Sequence, residues 1–294
     1  MDIDGVFSGG GIKGFALIGA YEELEKRGFR FKRVAGTSAG SIIAALIAAN
    51  YSSKEIYQIM DELELKQLLD PRNTIFPFSV MKWILLYWRL GLYKGDALEK
   101  WLAEKLAARG VRKFSDLQPQ ALRVIASDLT NDQLIVLPDD LVKYGIDPTS
   151  FPVAKAIRMS CSMPYFFEPV KLYTKRNTSI VVDGGVLSNF PMWLFDKDNI
   201  QKERPVLGVQ LSSHISDRPP NKINNAIQMF GALFETMKEA HDSRYISKRH
   251  AHNIIFIPTE GLLTTEFQLT PEKKEEIVNL GRDCTKKFFS KWSY

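Results

Sequence analysis

The chain of 294 residues is 45% hydrophobic and 25% charged, the proportions of an ordinary globular protein. These proportions exclude a disordered, collagen-like or coiled-coil protein for most of the length. Because a typical domain has about 150 residues, we expect one large domain over residues 1–294. Lysine and arginine total 39 against 34 acidic residues, so the formal net charge is +5. This excess is compatible with an anionic partner, such as a membrane surface or a nucleic acid, but requires none.

Cysteine content and apolar stretches indicate the cellular location. Cys161 and Cys284 are too few for a multi-disulfide framework, so we expect a reducing compartment such as the cytoplasm. The first motif lies close to Met1 and leaves no room for a cleavable signal peptide. The longest apolar stretch, Ile75–Tyr93, is interrupted by charged residues and is too polar to cross a membrane. We therefore expect no transmembrane helix.

Short β-rich runs alternate with helical runs along the chain, which predicts an α/β fold. The runs rich in branched apolar residues are predicted strands: Ile3–Ser8, Phe31–Ala35, Leu122–Ser127, Leu134–Leu137, Ile180–Val182, Val206–Leu211 and Ile254–Ile257. The predicted helices follow the first glycine turn through Leu24, cover Ser41–Ala49, Ser52–Leu69 and Ala97–Arg109, and start again at Thr270 and Pro271. Ser41–Ala49 is apolar on every face, which predicts a buried helix.

A glycine-rich turn, Gly9–Gly14, joins the first strand to the first helix. Backbone N–H groups converge in such a turn, so it binds a phosphate or stabilises a developing oxyanion. Its spacing also satisfies the G-x-G-x-x-G pattern of dinucleotide folds, but the second strand ends at Val34-Ala35-Gly36 without the acidic residue that holds the ribose. A P-loop is disfavoured because Lys13 precedes Gly14 rather than serine or threonine.

A second motif, Gly36-Thr37-Ser38-Ala39-Gly40, lies between a predicted strand and a predicted helix. This is the context in which G-x-S-x-G forms a nucleophile elbow. A serine on so tight a turn has a strained backbone, and its neighbours two positions away must be small. Both neighbours here, Gly36 and Gly40, are glycines. The alternative is a small-residue turn in which Ser38 only caps a buried helix.

The third motif is Asp183-Gly184-Gly185, directly after the apolar strand Ile180–Val182. A carboxylate at the carboxyl end of a buried strand lies where open α/β sheets place their sites. An Asp-Gly turn without function is the alternative. A serine elbow, an oxyanion-type loop and a strand-end aspartate are together the three parts that acyl transfer needs.

The base that would activate Ser38 has two candidates. In a Ser-His-Asp arrangement the histidine follows the aspartate, and His214 is the candidate because it follows a strand. The other histidines, His241, His250 and His252, lie in a polar run from Lys238 that indicates a solvated helix face. The second candidate is Asp183 itself. An unperturbed aspartate, with a pKa of ~3.9, is a poor base, but burial would raise that pKa.

Taken in order, the motifs resemble those of patatin-like phospholipases. Besides the three above, Ala156–Ser160 leading to Pro164 resembles the stretch before the family's aspartate strand, and Asn189 and Pro191 also fit. The similarity spans residues 3–192, about two-thirds of the chain. Residues 199–294 contain no recognisable motif.

This resemblance implies a modified α/β-hydrolase fold with three layers and a mostly parallel central sheet. It implies a catalytic dyad of Ser38 and Asp183 without histidine, and an oxyanion hole made by the N–H groups of Gly9, Gly10 and Gly11. No cofactor or metal takes part. The remaining motif residues support the turns: Lys13, Gly14, Gly36, Gly40, Gly184 and Gly185.

The expected substrate is a phospholipid or another acyl-ester lipid, reached by peripheral contact with a membrane surface. Nucleic acid is not expected as a partner, because the basic residues are spread along the chain. Two alternatives are a Ser-His-Asp esterase that uses His214 and a phosphate- or nucleotide-binding module without chemistry.

An aromatic stretch and a lysine near the motifs each have two interpretations. Ile75–Trp88 is rich in aromatic residues and is interpreted as a buried helix, the alternative being an apolar wall or lid at a bilayer surface. Lys13 is interpreted as solvated because a cation at a helix N-terminus opposes the helix dipole. The alternative is that Lys13 attracts a lipid phosphate.

Overall fold

The computed structural model describes residues 1–63, 65–71, 86–174, 177–195, 203–212, 223–224, 226–245, 251–258 and 269–292. The strands are β1 Asp2–Phe7, β2 Arg30–Thr37, β3 Gly91–Tyr93, β4 Leu122–Asp128, β5 Gln133–Leu137, β6 Tyr165–Phe167, β7 Val170–Tyr173, β8 Thr178–Asp183, β9 Val206–Ser212 and β10 Ile254–Pro258. The helices include α1 Phe15–Lys26, α2 Ala39–Ala48, α3 Ser53–Asp61, α4 Asp96–Ala107, α5 Val153–Ser160, α6 Ala226–Tyr245 and α7 Pro271–Phe289.

The central sheet is mixed but mostly parallel. Its strand order is β10-β9-β1-β2-β4-β8-β7, with β5 also paired to β4. The first five strands in this order are parallel to one another, whereas β5, β8 and β7 pair in antiparallel fashion. Because helices and strands alternate along the chain, the predicted α/β class and mostly parallel sheet are confirmed.

The register on β4 determines where two strand ends meet. β5 pairs along one edge of β4, so β2 and β8 share its other edge. β2 pairs there as far as Thr37, which lies opposite Ile125, and the antiparallel β8 ends at Asp183, which lies opposite Ala126. Since consecutive residues of a strand are ~3.3 Å apart along it, the carboxyl ends of β2 and β8 meet head to head. Ser38 follows Thr37 directly.

Helix α2 leads away from this meeting point and lies within the core. Ile43, Leu46 and most of its other residues are buried. The prediction of a buried helix after the serine motif is therefore confirmed. Such burial fixes the first turn of α2, and with it the turn that carries Ser38, against the sheet.

The structure corrects several details of the predicted elements. The predicted helix Ser52–Leu69 ends at Asp61 and is followed by a short 3₁₀ turn, Leu65–Leu68. The short strands β3, β6 and β7 and the helix α5 were not predicted. Among the described residues, no helix combines the length and apolar character needed to cross a bilayer.

The aromatic stretch Ile75–Trp88 is only partly described. Its residues 75–85 lie outside the described residues. At its end, the side chains of Tyr87 and Trp88 are 75% and 74% exposed and contact each other edge to face. The interpretation as a buried helix is therefore wrong for these two residues, because each presents most of its ring to solvent.

Helices α1 and α7 pack against each other through two glycines. A Cβ atom on Gly19 would lie 2.0 Å from the carbonyl oxygen of Val278, and one on Gly281 would lie 2.0 Å from the carbonyl oxygen of Ala16. Real Cβ atoms do not approach backbone so closely, so each position accommodates only glycine. The helix that follows the glycine loop is thereby fixed to the last described helix of the chain.

Replacing Gly281 by alanine tests this contact. The added methyl group must separate the two helix backbones, so we expect the free energy of unfolding to fall by about 1–3 kcal/mol or more. Gly231→Ala is the matched control, because Gly231 also lies in a helix, α6, but a Cβ there meets nothing within 4 Å. The control should be unchanged or more stable by about 0.5–1 kcal/mol. Urea unfolding measures both, and a Gly281→Ala variant as stable as wild type would contradict the packing described.

Candidate active site

Ser38 lies on a strained turn between β2 and α2. Its backbone has φ 52° and ψ −125°, a conformation that residues with a side chain rarely adopt. A Cβ atom on Gly36 would lie 2.4 Å from the carbonyl oxygen of Gly40, and one on Gly40 would lie 2.3 Å from that of Phe7. The turn therefore has the geometry of a nucleophile elbow, with glycine required on both sides for the steric reason that the sequence predicts.

Two serines, Ser160 and Ser41, hydrogen-bond to the backbone of Ser38. Its N–H donates to the Oγ of buried Ser160, at 2.9 Å. Its carbonyl oxygen accepts from the N–H of Ser41 at 2.8 Å and from the Oγ of Ser41 at 2.6 Å. Ser160 stands at the end of α5, and we expect it to position Ser38, although the sequence alone presents it only as part of a motif block.

Asp183 is buried beside Ser38. Its Oδ1 accepts from the N–H of Gly185 at 2.7 Å, and its own N–H donates to the carbonyl oxygen of Ser162 at 2.9 Å. A Cβ on Gly184 would lie 2.3 Å from the carbonyl oxygen of Ile125, so this turn fits against β4 only with glycine. The side chain of Ser38 is close enough to the carboxylate of Asp183 to lower its pKa, and both side chains line one cavity. The structure thus brings the two predicted side chains together.

The surroundings of Asp183 change its acidity. Burial raises the pKa of Asp183 to about 6, although the hydrogen bond from Gly185, the side chain of Ser38 and the positive charge of Lys238 act in the opposite direction. Burial also raises the pKa of the neighbouring Cys161 thiol to about 12, so this thiol is protonated and unreactive at neutral pH. Asp183, by contrast, is largely ionised at pH 7 and has the pKa of an effective general base.

The glycine loop lies next to the elbow, but its three N–H groups are not equivalent. The N–H of Gly9 donates to the carbonyl oxygen of Asn189 at 3.1 Å. This donor is engaged within the protein, so the part of Gly9 in the predicted oxyanion hole stays a prediction that the arrangement does not favour. Gly9 is instead needed for close packing, since a Cβ there would lie 3.1 Å from the Cβ of Ser38. Gly10 and Gly11 remain the candidate donors, and Gly11 lines the cavity described below.

Lys13 and Gly14 complete the loop. The side chain of Lys13 is only 8% exposed, so its interpretation as a solvated residue is wrong. Lys13 is also not among the residues that line the cavity beside Ser38. A Cβ on Gly14 would lie 3.2 Å from the Cβ of Ala39, so the loop packs against the first residue of α2.

Ser38 and Asp183 open into a cavity with mostly apolar walls. Its apolar lining includes Ile42, Met60, Leu98, Trp101, Phe166 and Phe234. Lys238 of α6 also lines it and is only 6% exposed. The prediction of a solvated helix face beginning at Lys238 is therefore wrong for this residue. An apolar cavity with a few convergent polar groups is the usual form of a site for a small molecule.

His214, the candidate base of the alternative mechanism, lies outside the described residues, as does His250. The side chain of His241 is likewise outside the description, and His252 is exposed. Within the described ranges, no group of three histidine, cysteine or acidic residues is arranged to hold a metal ion.

The sheet, the strained serine and the strand-end aspartate place the chain among α/β proteins with a nucleophile elbow. The sequence model of the patatin-like phospholipase family matches residues 5–196. The chain belongs to this family, as its motifs predicted, and the family's known relatives include lipid hydrolases.

Individual relatives and structures agree with this membership. The chain is 58% identical over 294 residues to YqhO of Bacillus subtilis (strain 168), covering 100% of both chains. It is 24% identical over 234 residues to lysophospholipase NTE1 of Debaryomyces hansenii, covering 78% of this chain and 13% of that protein. The crystal structure of VipD from Legionella pneumophila has a TM-score of 0.58 at 19% identity, covering 98% of this chain and 66% of VipD. VipD thus shares the fold.

Ser160→Ala tests how the elbow is positioned. The change leaves the N–H of Ser38 without its acceptor, so we expect the free energy of unfolding to fall by about 1–3 kcal/mol. If Ser38 is displaced, its reaction with a fluorophosphonate, a reagent for nucleophilic serines, should slow on the order of tenfold. A rise of only ~1.4 kcal/mol in the activation free energy is enough for this effect. Ser115→Ala, at an exposed serine, should change neither value. Wild-type labelling rates in Ser160→Ala, measured below its unfolding temperature, would exclude a positioning role.

Proposed function

We propose that this protein is a lipid acyl hydrolase, of phospholipase A or lysophospholipase type, in which Ser38 is the nucleophile and Asp183 the general base. The observation that carries the proposal is that the ends of β2 and β8 bring the side chains of Ser38 and Asp183 together at one cavity. Ser38 lies there on a strained elbow, and the walls of the cavity are mostly apolar. These features supply a nucleophile, a base within reach and a place for an acyl chain.

In the proposed mechanism, Ser38 Oγ attacks the ester carbonyl carbon while its proton passes to Asp183. The tetrahedral intermediate collapses when the C–O bond to the alcohol breaks, and Asp183 returns the proton to the departing alkoxide. An acyl-enzyme results. Water then attacks the acyl-enzyme with Asp183 again accepting the proton, which finally returns to Ser38 Oγ as the fatty acid leaves.

Charge on the carbonyl oxygen would be stabilised by the N–H groups of Gly10 and Gly11. Gly11 lines the cavity beside Ser38, and the loop is packed against the start of α2 through Gly14. Preorganised N–H donors of this kind contribute roughly 3–4 kcal/mol each to the transition state. With the N–H of Gly9 bound to Asn189, the proposed hole has two glycine donors rather than three.

The walls of the cavity support a lipid substrate. Trp101, Phe166 and other apolar side chains surround the space next to Ser38, and each methylene group buried there contributes ~0.8 kcal/mol. Exposed Tyr87 and Trp88 provide rings of the type favoured at a bilayer interface, which supports peripheral contact with a membrane surface. The relative from Debaryomyces hansenii is named a lysophospholipase, which is the same class of activity.

Two alternatives are less well supported. A Ser-His-Asp esterase places an imidazole between the serine and the acid, whereas Ser38 is close enough to Asp183 here to lower the pKa of its carboxylate. A binding module without chemistry would have no need for the strained backbone of Ser38.

Two experiments separate these alternatives from the proposed dyad. His214→Ala should retain activity if Asp183 is the base. Labelling of Ser38 by a fluorophosphonate would separate an enzyme from a binding module.

Ser38→Ala and Asp183→Asn test the dyad. Each should lower hydrolysis of a soluble hexanoate ester by at least ~10³-fold, because one removes the nucleophile and the other its base. A fluorophosphonate should label wild type and should not label Ser38→Ala. Thermal unfolding checks that both variants are folded. Near-wild-type turnover in Asp183→Asn would refute the assignment of the base and favour His214.

The pH dependence gives an independent test. Since Asp183 accepts a proton only as a carboxylate and its pKa is raised to about 6, kcat/KM should rise with pH and level off above an apparent pKa near 6. A raised pKa also means that the native state binds this proton more tightly than the unfolded state does. Its contribution to stability is therefore present at low pH and is lost as the pH rises through about 6.

Asp183→Asn provides the control for this pH test. The variant lacks the ionisation, so its stability relative to wild type should increase between pH 4 and pH 7, starting near the ordinary aspartate pKa of ~3.9. Urea unfolding at several pH values measures the difference. A buried Asp183 with a raised pKa would be contradicted if kcat/KM of wild type fell only below about pH 4 and the stability difference between wild type and Asp183→Asn did not change with pH.

A further inference from the structure

Helix α6 places a buried cation in the same cavity as the dyad. Lys238 lines the cavity together with Ser38 and Asp183, although α6 lies outside residues 5–196, the part matched by the family model. Its side chain runs over the turn after β8, where its Cδ is 3.5 Å from the position of a Cβ on Gly185. The N–H of Gly185 in turn holds Asp183. The cation therefore lies close to the reacting groups without being one of them.

Lys238 is buried with only a long ion pair among the described residues, and its charge also acts on the carboxylate of Asp183. Among the described residues, its ammonium group has a hydrogen bond to Glu235 Oε1 at a long 3.5 Å, and it lies 5.6 Å from the ring centroid of Phe234. Both partners are neighbours on the same helix. Burial of a cation is costly unless it is closely paired, and a methionine would fill the same space without that cost. An ammonium group that is kept at the wall of a cavity in this way is suited to an anionic ligand.

On the basis of the proposed function, we propose that Lys238 binds the phosphate group of the lipid substrate and so selects phosphate-bearing esters over neutral ones. In a glycerophospholipid the phosphate lies only a few bonds from the ester carbonyl. A substrate whose carbonyl is at Ser38 can therefore place its phosphate within the same cavity. The phosphate replaces Glu235 as the closest partner of the ammonium group, and the resulting bond is charge-assisted and shielded from water.

A pair of substrates that differ only in the phosphocholine head group tests this role. Dihexanoylphosphatidylcholine and dihexanoylglycerol, both used below the concentration at which they aggregate, present the same two hexanoyl esters. For Lys238→Met, we expect the ratio of kcat/KM for the phospholipid to that for the neutral lipid to fall at least tenfold. Lys238→Arg, which keeps the charge, should hold the ratio within threefold of wild type. Lys100→Met, which removes an exposed lysine, should leave the ratio unchanged.

The outcomes separate this proposal from the proposed function. If wild type hydrolyses neither lipid, the proposed function fails. If wild type hydrolyses both and Lys238→Met lowers both rates equally, only the role of Lys238 is overturned, since the residue then acts through Asp183 or through packing. If Lys238→Met changes the pH below which kcat/KM falls but leaves the ratio of the two substrates unchanged, the role of Lys238 is likewise overturned.

A measurement on wild type decides the question if Lys238→Met does not fold. Glycerol 3-phosphate should slow fluorophosphonate labelling of Ser38, because its phosphate occupies the site at Lys238, whereas glycerol at the same concentration should not. Equal labelling rates with the two compounds would overturn the proposal.

Discussion

The head-to-head meeting of β2 and β8 along one edge of β4 is the constraint on which the site depends. Pairing opposite Ile125 and Ala126 brings the end of β2 and Asp183 to consecutive positions of one strand. No side chain fits at Gly36 or Gly184 beside these strand ends, because a Cβ there would lie 2.4 Å or 2.3 Å from a backbone carbonyl oxygen. Backbone packing, rather than side-chain attraction, therefore places the serine against the carboxylate.

The same packing sets the electrostatics of the site. Asp183 lies at a strand end that is closed off from water, so its pKa rises to about 6, while the hydrogen bond from Gly185 keeps the carboxylate oriented. The apolar walls that suit an acyl chain also exclude water from the charged groups. Polar interactions are stronger in such surroundings than in water, so the hydrophobic lining has both a binding role and an electrostatic one.

Sequence predicted the centre of this site better than its periphery. Ser38 and Asp183 were identifiable because elbow and strand-end motifs depend on local backbone geometry, which short residue patterns encode. The engagement of Gly9 depends on Asn189, which is remote in sequence, so no local pattern reveals it. Lys238 is followed by a polar run that resembles a solvated face, and periodicity does not tell which side of a helix enters a cavity. Ser160 was missed as a positioning residue because a serine at a helix end usually has a purely local role.

The glycine contact between α1 and α7 couples the site to the order of synthesis. α1 begins directly after the glycine loop, whereas α7, which packs against it, is synthesised after all the other described helices. Until α7 arrives, the face of α1 around Gly19 is exposed to water and the loop lacks the support that this packing gives. The glycine loop therefore gains the support of this packing only when α7, which lies far from it in the chain, has docked on α1.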